Sequence, residues 1–190
     1  MIKNKKELAL YLECDRIALN KKKKRPSFLG DDIWKFQRIM RKLDYYSKTR
    51  NPKKYWYKLK FHRASLRLGF SIPCNIAGPG LAIVHYGTIV ISQATRIGAN
   101  CRIHAGVNIG ANAGEKTAAT IGDNVYIGPG AKLIGAITVG DNACIGANAV
   151  VTKDVESGVT VDGIPAKVIS SNDSSCHLIR ATELYNGGNK

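Results

Sequence analysis

The sequence predicts a mainly β protein, a parallel β-helix of hexapeptide repeats with a helical segment in front of it. Three observations carry that reading. An aliphatic residue recurs at sixth positions from Ile91 to Val151, with a single break at residue 115. Glycine gathers after Gly69, where 17 of the 19 lie. Cationic and aromatic residues gather before it: residues 1–69 hold 21 Lys and Arg against 6 Asp and Glu, and ten of the fourteen aromatic side chains. Residues 70–190 hold 8 of each sign, so the whole net charge of +15 belongs to the first third. Two different structures are therefore joined near Gly69, and a third stretch, 171–190, leaves the repeat as a tail.

A chain of 190 residues has room for one domain with an appendage. At 44% hydrophobic residues it can bury a core. No apolar run approaches the ~18 residues of a membrane span. The basic start, MIKNKKELAL, is not followed by the apolar stretch of a secretory signal, so a cytoplasmic chain is expected. Cys14, Cys74, Cys101, Cys144 and Cys176 are scattered, odd in number and without a CxxC pair. They read as buried free thiols of a reducing compartment, not as a disulfide framework or a zinc ribbon.

The first segment reads as three helices. One runs from about Lys5 to Asn20, with Leu8, Tyr11, Leu12 and Leu19 as its apolar positions. The cationic run Lys21–Arg25 and Pro26 end it. Gly30-Asp31-Asp32 starts a second, whose stripe is Ile33, Phe36, Met40 and Leu43. Asn51-Pro52 starts a third, because Asn caps and Pro suits the first helical position. Its stripe is Tyr55, Leu59, His62 and Leu66, and Gly69 is a natural stop.

The second segment divides into sixes: ISQATR, IGANCR, IHAGVN, IGANAG, then IGDNVY, IGPGAK, LIGAIT, VGDNAC, IGANAV and VTKDVE. The first position is Ile, Leu or Val, the second is usually Gly, and the fifth is mostly small or apolar. That period does not fit a helix of 3.6 residues per turn. It fits a solenoid that turns a corner every six residues and stacks its aliphatic positions inward. The glycine is expected to accommodate the tight corner. Between Ile109 and Ile121 the phase holds but ANAGEKTAAT lacks inward aliphatics, so a loop thrown out over 111–120 is expected in preference to a weak rung.

These repeats, with GPGLAIVHYGTIV before them and VTKDVESGVTVDGIPAKVI after them, resemble the left-handed β-helix acyltransferases over about residues 70–170. The branch is that of serine O-acetyltransferases, which also supplies sugar O-acetyltransferases of capsule and O-antigen synthesis. The resemblance implies three hexapeptides per triangular coil, a homotrimer, active sites in grooves between subunits, and acetyl-CoA as co-substrate with no permanently bound cofactor.

His85 is the leading catalytic candidate. Counting back in sixes from Ile91 puts it in an inward aliphatic slot, where a titratable ring needs a reason. Histidine suits a general base because its pKa lies near working pH. A buried, hydrogen-bonded histidine is the plainer alternative. The resemblance favours the base, since IVHYGTIV matches the segment with the family's catalytic histidine. His104 follows the inward Ile103 and is expected near a corner, facing a groove or solvent. His62 and His177 read as structural or solvated. No histidine spacing suggests a metal site.

The resemblance assigns the donor groove to the later coils. Gly128, Gly130, Ala131, Gly146 and Ala147 would let pantetheine lie against backbone, and Lys132, Lys153 and Lys167 would meet its phosphates. For the glycines, repeat geometry alone is the competing explanation; for the lysines, solvation is. Tyr86, Gln93, His104, Asn108 and Asn112 are the candidates for holding the acceptor. Serine-specific members carry an Asp, a Glu and a second His where this chain has Phe70, Gln93 and Ala118. An ammonium group in a partly buried site calls for an opposing charge. A sugar hydroxyl is therefore the expected acceptor, with L-serine the alternative. The helical segment is short for a family domain that joins trimers, so a single trimer is expected. The cationic run 21–25 would suit contact with anionic lipid at the inner face of the membrane. No nucleic-acid-binding motif accompanies it, so a nucleic-acid partner is not expected. A catalytically dead scaffold is the remaining alternative, against which an intact His85 argues.

Overall fold

The repeat winds into a triangular prism. In a computed structural model describing residues 2–187, three sheets of short strands form its walls. The first wall stacks Phe70–Ser71, Ile89–Ile91, Asn108–Gly110, Lys132–Ile134 and Val150–Val151. The second stacks Arg96–Ile97, Thr120–Ile121 and Thr138–Val139. The third stacks Ala82–Ile83, Arg102–Ile103, Tyr126–Ile127, Cys144–Ile145 and Thr160–Asp162. All these pairs are parallel; Lys167–Ser170 then turns back antiparallel on Thr160–Asp162 and closes the far end of the third wall.

The register shows why the period is six. Ile91 pairs with Ile109, which pairs with Leu133, which pairs with Val151. Ile83, Ile103, Ile127, Ile145 and Val161 form the equivalent ladder on the third wall. All nine are buried in one core. The fifth positions Cys101, Val107, Val125, Ala131, Ala143 and Ala149 fill the corners of the same core and are equally buried.

Two residues share the work at a corner. In Ile97-Gly98-Ala99-Asn100, a Cβ on Gly98 would come within 2.6 Å of the Gly122 carbonyl in the next coil. Glycine here permits close stacking and has no positive φ. The left-handed turn is made by the asparagine, with φ of 56° at Asn100, 57° at Asn124 and 60° at Asn142. The sequence expectation that glycine turns the corner is thus corrected at these positions.

The expected loop is present. Ile97 pairs with Ile121, whereas Ile121 pairs with Val139. The first of these coils is six residues longer, and the surplus is the irregular, largely exposed stretch 111–119.

Helices α1 (Lys5–Ala18), α2 (Asp32–Lys48) and α3 (Lys53–Leu68) precede the prism. Asn4 caps α1 by accepting from the Glu7 N–H at 2.9 Å, and Gly69 ends α3 with φ of 74°. On α2 the expected stripe holds: Phe36, Met40 and Leu43 are buried and Ile33 is half-buried. On α1 the expected stripe is only half-buried, and Cys14, Asp15 and Ala18 face inward instead. On α3 the expected stripe points outward. The packed side is Tyr57, Phe61, Ala64 and Leu68, with Phe61 stacked on Phe36 at 5.2 Å. A helix with two apolar sides gave two stripes of equal spacing, and the more strongly aliphatic one is exposed.

The helices cap the open end of the prism with a polar row. Asp44 accepts from the Asn75 N–H at 3.0 Å. Arg41 donates to the carbonyls of Ala77 at 2.7 Å and Gly78 at 2.6 Å. It also forks onto Asp15 at 2.9 and 3.1 Å, and Asp15 accepts from the N–H groups of Gly80 and Leu81 at 3.0 Å each. Gln37 donates to the Leu81 carbonyl at 2.7 Å and accepts from the Ile83 N–H at 3.1 Å. Gln37, Arg41 and Asp44 lie four and three residues apart and so share one face of α2.

The tail, as far as residue 187, also returns to the helices. Ser174 donates to the Asn124 carbonyl, Thr182 bonds Asn100, and α4 (Ala181–Gly187) places Ala181 against Cys14, Ala18 and Ala82. Met1 and residues 188–190 lie outside the described residues. The five cysteines are free; Cys176 alone among them is exposed, and burial raises Cys14 to about 11 and Cys101 to about 12.

Two predictions follow from the cap. Arg41→Met leaves the Asp15 carboxylate buried without its counter-ion, so urea unfolding should show a loss of about 3–5 kcal/mol. Asp44 is held up at about 6, first by burial, against an ordinary value of 3.8. The folded state therefore binds a proton that the unfolded state has released across that window, and Asp44's contribution to stability falls as pH rises through it. Asp44→Asn keeps an oxygen for the Asn75 N–H; it should be more stable than the parent at pH 8 by about 1–2 kcal/mol and match it near pH 4.

Candidate active site

His85 is not in an inward slot. Ile83 and Ile91 are the wall residues on either side of it, and they pair with Ile103 and Ile109. The passage from the third wall to the first therefore spans eight residues in the first coil and six in the next. The two surplus residues sit in the turn with His85 and Tyr86, and both side chains are exposed. Counting in sixes fails there because the coil is longer, not because a polar ring is tolerated in the core.

The turn lies at the edge where the third wall meets the first. Each coil adds to that edge: His85 and Tyr86, then His104, then Gly128 and Gly130, then Gly146 and Ala147. Backbone bonds tie the edge together, from the Gly106 N–H to the Thr88 carbonyl at 2.8 Å, from Gly130 to Ala105 at 2.9 Å and from Asn148 to Pro129 at 2.8 Å. Four of the five small residues expected to face a donor thus share an edge with His85. Ala131 does not: it occupies an inward fifth position and is fully buried, so its place in a donor groove is corrected. Gly128 is buried as well, and a Cβ there would come within 2.9 Å of the Ala147 nitrogen. Gly130, with φ of +74°, lies against the Asn148 side chain. Coil stacking accounts for both glycines.

The lysines separate. Lys132 donates to the Gly106 carbonyl at 2.5 Å and is half-buried on the first wall, beside Asn108 in register. Lys167 pairs in register with Asp162 next to the His85 edge and is exposed. Lys153 lies between Val151 of the first wall and Val155, which bridges to Val139 of the second, so it belongs to another edge. Gln93 and Asn112 share that other edge, with the 111–119 loop; Asn112 donates to Glu115 at 3.2 Å. Within one chain, Gln93 and Asn112 are not brought to His85.

A row of rings crosses from the His85 edge onto the third wall. His85 and His104 have centroids 5.9 Å apart, His104 and Tyr126 5.2 Å, and Tyr126 and His177 4.8 Å. Arg102 approaches His104 Nε2 through its Nε at 3.4 Å. Burial first, then Arg102, His85 and His177, hold the His104 pKa below the ordinary histidine value. The neutral ring is favoured, with Nε2 facing the guanidinium as an acceptor. Arg102 and Tyr126 were legible as outward positions in successive coils but carried no chemical signal alone. His177 is exposed, as a solvated histidine would be, and only the fold of the tail brings it to this row. His62 is exposed on α3, away from these residues. Among the described residues no group of three or more His, Cys, Asp and Glu is placed to hold a metal ion.

Residues 118–153 match the family model described as bacterial transferase hexapeptide (six repeats). Residues 89–114 match the hexapeptide repeat of succinyl-transferase. The serine acetyltransferase of Synechococcus elongatus is 39% identical over 115 residues, which are 59% of this chain and 47% of that protein. The chain spans about half the length of the curated relatives it matches. The solved serine acetyltransferase of Neisseria gonorrhoeae superposes with a TM-score of 0.73 and 28% identity, over 88% of this chain and 70% of that one. That of Brucella abortus in complex with coenzyme A superposes with 0.68 and 26%, over 88% and 68%. The chain thus folds as a left-handed β-helix built of hexapeptide repeats. Among proteins of that fold it is similar to the serine acetyltransferases.

Imidazole NMR should find His104 titrating below an ordinary histidine. Arg102→Gln removes the nearby cation, and should move that midpoint upward, leaving the part due to burial in place.

Proposed function

We propose that the chain is an acetyl-CoA-dependent O-acetyltransferase with His85 as general base. The observation that carries this is the position of His85: an exposed imidazole thrown from an over-long turn, at the head of an edge whose later coils offer small residues. The acceptor hydroxyl gives its proton to His85 as its oxygen attacks the thioester carbonyl. The tetrahedral oxyanion needs an N–H donor, and collapse expels the CoA thiolate. No covalent enzyme intermediate is needed. Gly130, Gly146 and Ala147 would flank the pantetheine arm, and Lys132, whose Nζ reaches the Gly106 carbonyl of that edge, and the exposed Lys167 would meet a phosphate. His104 and Tyr86 stand beside His85 for the acceptor.

The similarity to serine acetyltransferases supports L-serine as acceptor ahead of the sugar expected from sequence, and nothing in the comparisons supports a role in polysaccharide synthesis. One observation keeps a sugar hydroxyl as the second reading. Phe70, where a carboxylate would be expected, packs edge-on against Phe36 at 5.1 Å and is buried. Gln93 is neutral, and the nearby Ala118 is also buried. A homotrimer is part of the proposal: Gln93 and the 111–119 loop would reach His85 only if a neighbouring copy brings its second edge to the first, whereas Asn108, in register with Val90, lies on the first wall next to the His85 edge.

CoA release from acetyl-CoA should be measured with L-serine and with a panel of sugars and nucleotide sugars. His85→Ala should lower turnover by about 100- to 10,000-fold with the true acceptor. A fully active variant would remove His85 from the chemistry. Turnover with a sugar and none with serine would reverse the order of the two acceptors.

A further inference from the structure

The outward face of α3 is apolar, and nothing in the described chain covers it. Tyr55, Trp56, Leu59 and Leu66 are 68%, 58%, 45% and 71% exposed. The opposite face already holds the packing against α2, so these side chains contribute nothing to the helix's attachment. Every charged side chain of α3 is cationic: Lys53, Lys54, Lys58, Lys60, Arg63 and Arg67. They stand close to the exposed rings, with Lys60 Nζ 4.7 Å from the Trp56 centroid and Lys54 Nζ 5.0 Å from that of Tyr55.

A second apolar tip adjoins this face. After the cationic run Lys21–Arg25, Phe28 and Leu29 are 95% and 83% exposed. The Phe28 carbonyl accepts from Lys35 Nζ at 2.6 Å, and Arg67 pairs with Asp32 at 2.6 Å. These contacts hold the tip beside the C-terminal half of α3.

We propose that α3 and the 21–29 loop form a docking surface for an anionic lipid membrane. Leu59, Leu66, Phe28 and Leu29 would enter the acyl boundary, Tyr55 and Trp56 would sit at headgroup depth, and the lysines and arginines would meet lipid phosphates. Charge selects this occupant. A second copy would press two segments of the same large positive charge together, since residues 1–69 carry 21 cationic and 6 acidic side chains. A nucleic acid would satisfy the cations and leave four large aliphatic and phenyl side chains in water. The surface extends beyond residues 21–25 and does not depend on which hydroxyl accepts the acetyl group.

The two tryptophans make the test direct, because Trp34 is 1% exposed and Trp56 is on the surface in question. The full chain is mixed with phosphatidylcholine vesicles, with and without about 30% phosphatidylglycerol, and followed by co-sedimentation and tryptophan emission. Expected are sedimentation with the anionic vesicles alone, a blue shift that Trp56→Phe abolishes, and weakening as salt rises. Leu59→Ser/Leu66→Ser, which alters exposed positions, should reduce partitioning roughly tenfold or more with unchanged circular dichroism. Failure to sediment, or sedimentation indifferent to the double substitution, would overturn the proposal. So would a vesicle-free oligomer that the same substitution dissociates, which would make the face an interface between copies.

Discussion

A parallel β-helix passes its backbone hydrogen bonds from coil to coil, and the first coil has no coil above it. Its exposed edge, residues 75–83, is where the fold would otherwise fail, because unpaired buried N–H and C=O groups each cost about 1–3 kcal/mol. This chain meets that constraint with side chains. Asp44, Arg41, Asp15 and Gln37 together occupy seven backbone groups of that edge. Gln37 imitates a strand, accepting one N–H and donating to one carbonyl two residues apart. The Asp15–Arg41 pair is buried at a desolvation cost that Coulomb attraction alone does not offset, and its extra bonds to backbone complete it. The helical segment is therefore the missing coil of the prism rather than an attached module. The coil it completes is the one that carries His85.

The opposite end is closed differently. Lys167–Ser170 turns back antiparallel on the last strand of the third wall, and the tail then climbs along the corner asparagines. Asn100 donates to Asn124 at 2.8 Å and Asn124 to Asn142 at 3.1 Å, a ladder along one edge of the prism. Thr182 and Arg180 dock onto its rungs, and Ala181 ends against α1. First and last elements thus meet on the third wall. His177 reaches Tyr126 as a consequence of that path.

The prism was legible because a period of six imposes itself on every coil: stacked isoleucines, small fifth positions and glycine beside the aliphatic all follow from one packing geometry. The loop after Ile109 was legible for the same reason, as an absence of inward side chains. The cap was not. Gln37, Arg41 and Asp44 at helical spacing look like the solvated side of an amphipathic helix, and only the proximity of an open strand edge makes them internal. Nor was the facing of α3, since Tyr55, Leu59 and Leu66 recur as regularly as Phe61, Ala64 and Leu68 and spacing cannot say which row meets α2. The placement of His85 was not legible either, because the period of six does not extend upstream of Ile91. The inward facing of Ala131 was legible in its fifth repeat position.

Departures from the repeat bear on function. Where coils are in phase, the edge of the prism is closed by stacking: Gly128 is pressed against Ala147, and a Cβ on Gly146 would come within 2.6 Å of Asp162. Such positions can offer a small, smooth surface and nothing reactive. Reactive side chains must come from where the phase breaks or from outward positions beside it. The over-long first turn supplies His85 and Tyr86; the outward row supplies Arg102, His104 and Tyr126; the long coil after Ile109 supplies the exposed Asn112. The regular coils fix the spacing of these groups to the strand separation of the wall, ~4.8 Å per coil, which agrees with ring centroids 5.2 to 5.9 Å apart from His85 to Tyr126. Chemistry on this fold is thus written in departures from the repeat, at distances the repeat sets.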